Sequence, residues 1–360
     1  MNVSDLRSVL ERVLNLDQKF KLQESVDLAR DSIINMVNAP HDPNHQTAFS
    51  DAIKQLKDGY IRFSSQLTPA DWERIEKIRA DVEFSDQLVN SITSVISENA
   101  VTPAVVRDKL VELSESRKRE LEHYKRLLDE LDYVGFEAEE NNINEAQVGF
   151  KIPRSLFDND LSGFIKELSF IKKFIRLVSE AGGDAPENIR VGSISTSDPL
   201  IWFILSSVTV VKIGSLTKWC LDTWKQVEEI KALRSQTAKN PMFSPKEVED
   251  FFDRKIKDLL ETAIKEKADE LVAPVKDGSR RSELTNGLTI QLDQFLARTE
   301  RGMTVEVRYI PPPPTKDTNE AQREAQSSMQ KEIRELSSSL KFTRHSGDPI
   351  MLLETKVDHE

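Results

Sequence analysis

The chain has 360 residues, with 50 Lys and Arg against 61 Asp and Glu and a formal net charge of −11. Nothing in that overall balance favours nucleic-acid phosphates or an anionic membrane, although an acidic chain can still carry a local basic patch. A single cysteine, Cys220, excludes a disulfide framework and a thiolate metal cage and makes a reducing compartment the expectation, while 12 glycines and 7% aromatics argue against a turn-rich sandwich or barrel.

The first stretch, MNVSDLRSVLERVLNL, carries Asp5, Arg7, Glu11 and Arg12 among its apolar residues. It reads as a cytosolic helix rather than a signal peptide, and the expected location is cytoplasmic. Apolar residues then recur at three- and four-residue steps. Leu6, Val9, Leu10 and Val13 form one stripe; Leu22, Val26, Ala29, Ile33 and Val37 form a second, ending before APHDPNH. A third helix is expected from Ala48 to Phe63 and a fourth from Thr68, where Thr-Pro places a capping hydroxyl ahead of a first-turn proline. Thr102-Pro103 opens the longest, from Ala104 to about Asp132. Its length fits an antiparallel bundle, coiled coil or protruding hairpin.

Residues 137–146 are acidic and Asn-rich and read as a linker, so 1–136 is expected to be an all-helical bundle and 147–314 an α+β domain. In the second domain, Val148, Phe150 and Ile152 alternate with polar or small residues as a strand does. An amphipathic helix follows from Leu161 to Val178 and stops at Gly182-Gly183. Ile189, Val191 and Ile194 predict a second strand. Asp198-Pro199 then predicts a helix start, with the helix running through Trp202, Phe203 and Leu205 to Leu233 and Gly214 as a possible kink. Two more helices are expected at 245–272 and 280–298. Met303, Val305, Val307 and Tyr309 give the clearest strand, ended by the rigid Pro311–Pro314 run. The expected fold is therefore mainly α, a helical bundle followed by a helix-rich α+β domain with a sheet of about three strands. Residues 315–360 read as a polar helix and tail. The helix has a narrow stripe, from Ala321 to Leu340, that suits docking on a neighbour better than folding alone.

The layout of IPRSLFDNDLSGFIKELSFI…SEAGG…GSISTSDP resembles uncharacterised bacterial proteins of the helical-plus-small-sheet kind, some of them associated with phage-defence loci. The resemblance covers about a third of the chain, contains no catalytic motif and implies no activity. A place in a bacterial multi-protein system of defence type is what it adds to the expectations.

Chemistry-bearing residues are sparse. His41, Asp42 and His45 have the residue types of a divalent-metal site, but HDPNH reads more simply as a polar turn between helices. Ser195, Thr196, Ser197 and Asp198 lead from a strand into the expected helix N-terminus, a geometry that can bind an anion through backbone N–H groups, yet the same residues are ordinary helix caps. Neither GxxxxGK[ST], GxGxxG, HExxH nor GxSxG occurs, and repeated Ser-x-x-Lys matches, at Ser169, Ser215 and Ser338 among others, point to chance. The basic runs around Arg117–Arg126 and Lys276–Arg281 are interleaved with acids or short, so they read as salt-bridged surface and no nucleic acid is expected. No cofactor is implied.

The uncharged segment Pro199–Val211 is 13 residues, about 20 Å as a helix, against a bilayer core of about 30 Å. Trp202, Phe203 and Leu205 are thus expected in a buried core helix, with a membrane-acting effector built on 199–221 as the alternative. The functional expectation is a non-catalytic interaction or assembly protein that binds a protein partner or itself. A metal- or nucleotide-dependent enzyme without a familiar motif is the third reading.

Overall fold

The computed structural model describes residues 3–136, 145–184, 189–195, 199–239, 244–309, 320–342, 349–351 and 353. The chain is mainly α, with a helical bundle followed by a helix-rich α+β part that holds one small antiparallel sheet. It divides into two compact units, Met1–Asn141 and Asn142–Glu360.

The first unit contains α1 (Val3–Phe20), α2 (Leu22–Asn38), α3 (Pro43–Ser64), α4 (Pro69–Lys77), α5 (Asp81–Phe84), α6 (Gln87–Glu98) and α7 (Pro103–Tyr133). The stripes read from the sequence meet in one core, where Val9, Val13, Leu22, Val26, Ile33, Leu56, Phe63, Phe84 and Leu110 are buried. Thr68 caps α4 in a full capping box with Asp71, as Thr-Pro-Ala-Asp predicts. The Thr102 side chain makes no cap hydrogen bond, so there Pro103 alone marks the helix start.

The charged middle of α7 departs from expectation at Arg117. Rather than lining a solvated surface, this guanidinium is buried against Asp17 and donates to Gln23 Oε1 at 2.9 Å and to the Glu83 carbonyl. It also stands 5.8 Å from the Phe84 ring centroid. Asp17 and Arg117 are 100 positions apart, so no local pattern announces the pair.

The second unit runs β1 (Ala146–Lys151), a short 3-10 turn (Arg154–Leu156), α8 (Leu161–Ala181), β2 (Arg190–Ser195), β3 (Leu200–Leu205), α9 (Ser207–Thr237), α10 (Pro245–Val272), α11 (Gly278–Glu300), β4 (Thr304–Tyr309) and α12 (Glu320–Ser339). Strand order is β2-β3-β1-β4 and every neighbouring pair is antiparallel. Val148 faces Phe203 and Val307 across its two neighbours, and Phe150 faces Ile201 and Val305. These six side chains form one face of the sheet and join the core built from α8, α9, α10 and α11, with Phe174 stacked 4.8 Å from Phe295 at its centre.

The predicted helix at Pro199 is corrected by this sheet. Leu200–Leu205 is a strand, and α9 starts only at Ser207. LIWFIL is apolar on both faces because β3 is an inner strand covered on both, and a continuous apolar run of that kind carries neither the period of 2 nor of 3.6. The sheet thereby gains a fourth strand. Gly214 does not break α9; it leaves room for α12, whose Leu336 Cδ1 would stand 3.3 Å from an added Cβ. The thin stripe of α12 docks on its own chain, where Ile333 is buried and Met329 and Leu336 pack into the same core, against α9 and β4. Glu300 and Arg301 at the end of α11 hold Ile350 and Met351 through backbone hydrogen bonds. Residues 137–144, the Pro311–Pro314 run and most of the final tail lie outside the described residues.

Candidate interaction surface

The three sites suggested by sequence fare differently in the fold. Asp42 is the N-cap of α3, accepting from the Asn44 N–H at 2.9 Å, and His45 stands 3.7 Å from it in the first turn. His41 is exposed, and among the described residues no three His, Cys, Asp or Glu are grouped to hold a metal. Thr196, Ser197 and Asp198 lie outside the described residues; Ser195 ends β2 and pairs with Leu200 of β3. The helix start predicted at Pro199 is not there, because the strand β3 begins at Leu200. Trp202 and Phe203 are buried in β3, and Leu205 is partly buried against the core. No helix among the described residues is long and apolar enough to cross a membrane.

The true helix start at Ser207 is already satisfied by the protein. Ser206 caps α9 by accepting from the Thr209 N–H at 3.2 Å, and its hydroxyl donates to Asp184. Thr209 Oγ1 lies 3.1 Å from the same carboxylate and 3.2 Å from Ser179 Oγ. Asp184 thus supplies negative charge to the positive helix end, the role that sequence reading gave to Asp198.

A second closed network joins α8 to α11. The Arg298 guanidinium donates to both oxygens of Glu167, at 2.8 and 3.0 Å, and to Gln294 Oε1 at 2.9 Å. It also lies 3.9 Å from the Phe170 ring centroid. Cys220 is fully buried, and desolvation pushes its thiol up to about 12, so it is neither a nucleophile nor a ligand in the folded state.

Two features face outward. The first is an open groove of about 570 Å³ between α9 and α10, lined by Lys218, Asp222, Gln226, Glu266, Lys267 and Leu336 among others. Lys267 is tied to Glu270 at 2.7 Å, and the carboxylates outnumber the ammonium groups. The second is the β2 edge. One side of β2 pairs with β3, and its other side pairs with no strand among the described residues. Val191 is opposite Phe203 and Ile194 opposite Ile201, so both project to the helix-bearing face of the sheet. They are nonetheless 53% and 58% exposed, because the helical layer that buries Ile201 and Phe203 stops short of β2. Gly192 falls at the register irregularity between Val191 and Ser193, where an added Cβ would meet Ile204 Cγ1 at 3.3 Å.

Sequence reading identified Val191 and Ile194 as strand residues but not as exposed ones. The available signal was local composition, since RVGSIS mixes its two apolar residues with glycine and serines whereas LIWFIL is apolar throughout. Comparison with protein-family models, with curated proteins and with solved structures returns no match to this chain.

Proposed function

We propose that this protein is a non-catalytic assembly module that self-associates through the outer edge of β2. The observation that carries the reading is an edge strand whose outer side pairs with no strand among the described residues and whose two apolar side chains, Val191 and Ile194, are more than half exposed. A second copy is the simplest occupant, because an antiparallel β2–β2 pair is related by a two-fold axis and each copy offers the same surface. The pair joins two four-stranded sheets into one and covers four apolar side chains that the helical layers leave bare.

The interface is small. Full burial of a Val or Ile side chain is worth about 1.5–3 kcal/mol, and only about half of that remains to be gained here. Association costs several kcal/mol in lost freedom, so the complex is expected to dissociate on dilution.

Static light scattering of the purified chain tests this, with and without mild detergent. The expected mass is twice 41.0 kDa at high concentration, unchanged by detergent and falling toward 41.0 kDa on dilution. Ile194→Lys is expected to give the monomer throughout without loss of helicity, because the side chain is already in solvent. A monomer at every concentration, or a dimer indifferent to Ile194→Lys, refutes the assignment.

A further inference from the structure

Helix α8 divides its residues sharply. Phe170, Ile171, Phe174, Ile175 and Val178 are buried against the sheet and α11, and both carboxylates of the helix are engaged by α11. Glu167 is held by Arg298, and Glu180 by Arg280 at 2.6 and 2.7 Å.

The outer arc is left with Lys166, Lys172, Lys173 and Arg176 around Ser169, and these four cations form no ion pair among the described residues. At about 1.5 Å rise per residue they span about 15 Å of one exposed face. Leu161 and Ile165 lie on the same arc and are 71% and 54% exposed. Of the charged groups nearby, Asp160 caps the helix at the Gly163 N–H and Asp158 lies just before it, both at the apolar end. Glu283 is tied to Arg280, and Lys212 of α9 adds a further cation beside Gly182. Arg176 has a carboxylate in electrostatic reach, Glu180, which is already bonded to Arg280, so a face of four cations stands out on a chain whose net charge is −11.

We propose that the outer face of α8 is a peripheral docking surface for anionic phospholipid. Lys166, Lys172, Lys173 and Arg176 supply the attraction to lipid phosphates, which draws basic residues within a Debye length of the surface. Leu161 and Ile165 favour lipid over a nucleic-acid backbone. At the boundary between headgroups and acyl chains their apolar surface leaves water, and a phosphate backbone offers them no such environment. The arc also carries no aromatic side chain on which a base could stack. This inference does not depend on assembly through β2.

Flotation of the full chain with vesicles tests it, using phosphatidylcholine alone and an equal mixture of phosphatidylcholine and phosphatidylglycerol. Binding is expected to the mixed vesicles only and is expected to disappear at 1 M salt, where the Debye length is about 3 Å. Lys172→Glu with Lys173→Glu is expected to lower partitioning about tenfold or more. Leu161→Ser with Ile165→Ser is expected to weaken it several-fold. All four side chains are exposed, so circular dichroism and melting temperature are expected to stay at the wild-type values. Failure to float with the mixed vesicles, or flotation unchanged by the charge reversal, overturns the proposal. Duplex RNA or DNA binding that is lost in the charge-reversed variant but indifferent to the serine variant, with no vesicle binding, assigns the face to nucleic acid and overturns it equally.

Discussion

Removal of the Arg298 side chain should be among the more damaging single changes in the second unit. Arg298 and Glu167 side chains are only 9% and 5% exposed, and the guanidinium makes a two-pronged bond to the carboxylate while lying on Phe170. In Arg298→Ala, Glu167 stays inside with its charge uncompensated, at a cost of about 3–5 kcal/mol. For a unit of this size, each kcal/mol lowers the melting temperature by about 2–4 °C, so the expected drop is roughly 6–20 °C. Replacing both partners by apolar residues, Glu167→Leu with Arg298→Met, removes the orphaned charge and should recover most of the loss. Tryptophan fluorescence isolates the transition, because Trp202, Trp219 and Trp224 belong to the second unit and only Trp72 to the first. Two units need not unfold together, so the fluorescence midpoint should be read beside circular dichroism. A single-variant loss below about 1 kcal/mol, or a double variant as unstable as the single one, would refute the account of this pair.

Other outcomes follow from single contacts. Gly149→Ala sets a Cβ 3.0 Å from three ring atoms of Trp202, itself held by the Arg308 guanidinium 3.8 Å from the ring centroid, and should cost about 1–3 kcal/mol in urea denaturation; an unchanged midpoint would contradict that packing. Cys220 should resist a thiol reagent in the native protein and react fully in denaturant, and stoichiometric native labelling would show that its site is open. Arg280 holds the Glu180 carboxyl below the usual carboxylate range by direct hydrogen bonds. A depressed folded-state value means the stabilisation is present above the ordinary carboxylate pKa of about 4.3 and is lost as pH falls through the folded value. Both side chains are about 40% exposed, so Glu180→Gln should lower the melting temperature by only about one or two degrees at neutral pH and by nothing in acid; an equal loss at both pH values would sink the ionic explanation.

Much of the helical architecture was legible in the sequence because its signals are local. Ser244-Pro245 with Glu247 forms a complete capping box at the predicted start of α10, and Gly183 ends α8 with a φ of 78°. What escaped was set by distant neighbours. Nothing within Pro199–Val211 says that β1 and β2 will flank Leu200–Leu205 and turn its first half into a strand. Arg117 stands in a run of charges that looks solvated until Asp17 and Phe84 meet it. The β2 edge was hidden for the same reason: whether Val191 and Ile194 are covered depends on where the helical layer ends, which no spacing within RVGSIS encodes. His41, Asp42 and His45 have residue types that suit a metal, yet HDPNH reads more simply as a turn between helices, and in the structure Asp42 caps α3 with His45 beside it.

Hydrogen–deuterium exchange of the β2 amides, measured across a dilution series of the intact chain, tests the assembly reading most directly. Pairing of two β2 edges predicts that protection within Arg190–Ser195 rises with protein concentration while that of the inner strand β1 stays constant. Exchange in β2 that is fast and identical at every concentration would contradict the account, because the strand edge would then have no partner to cover it.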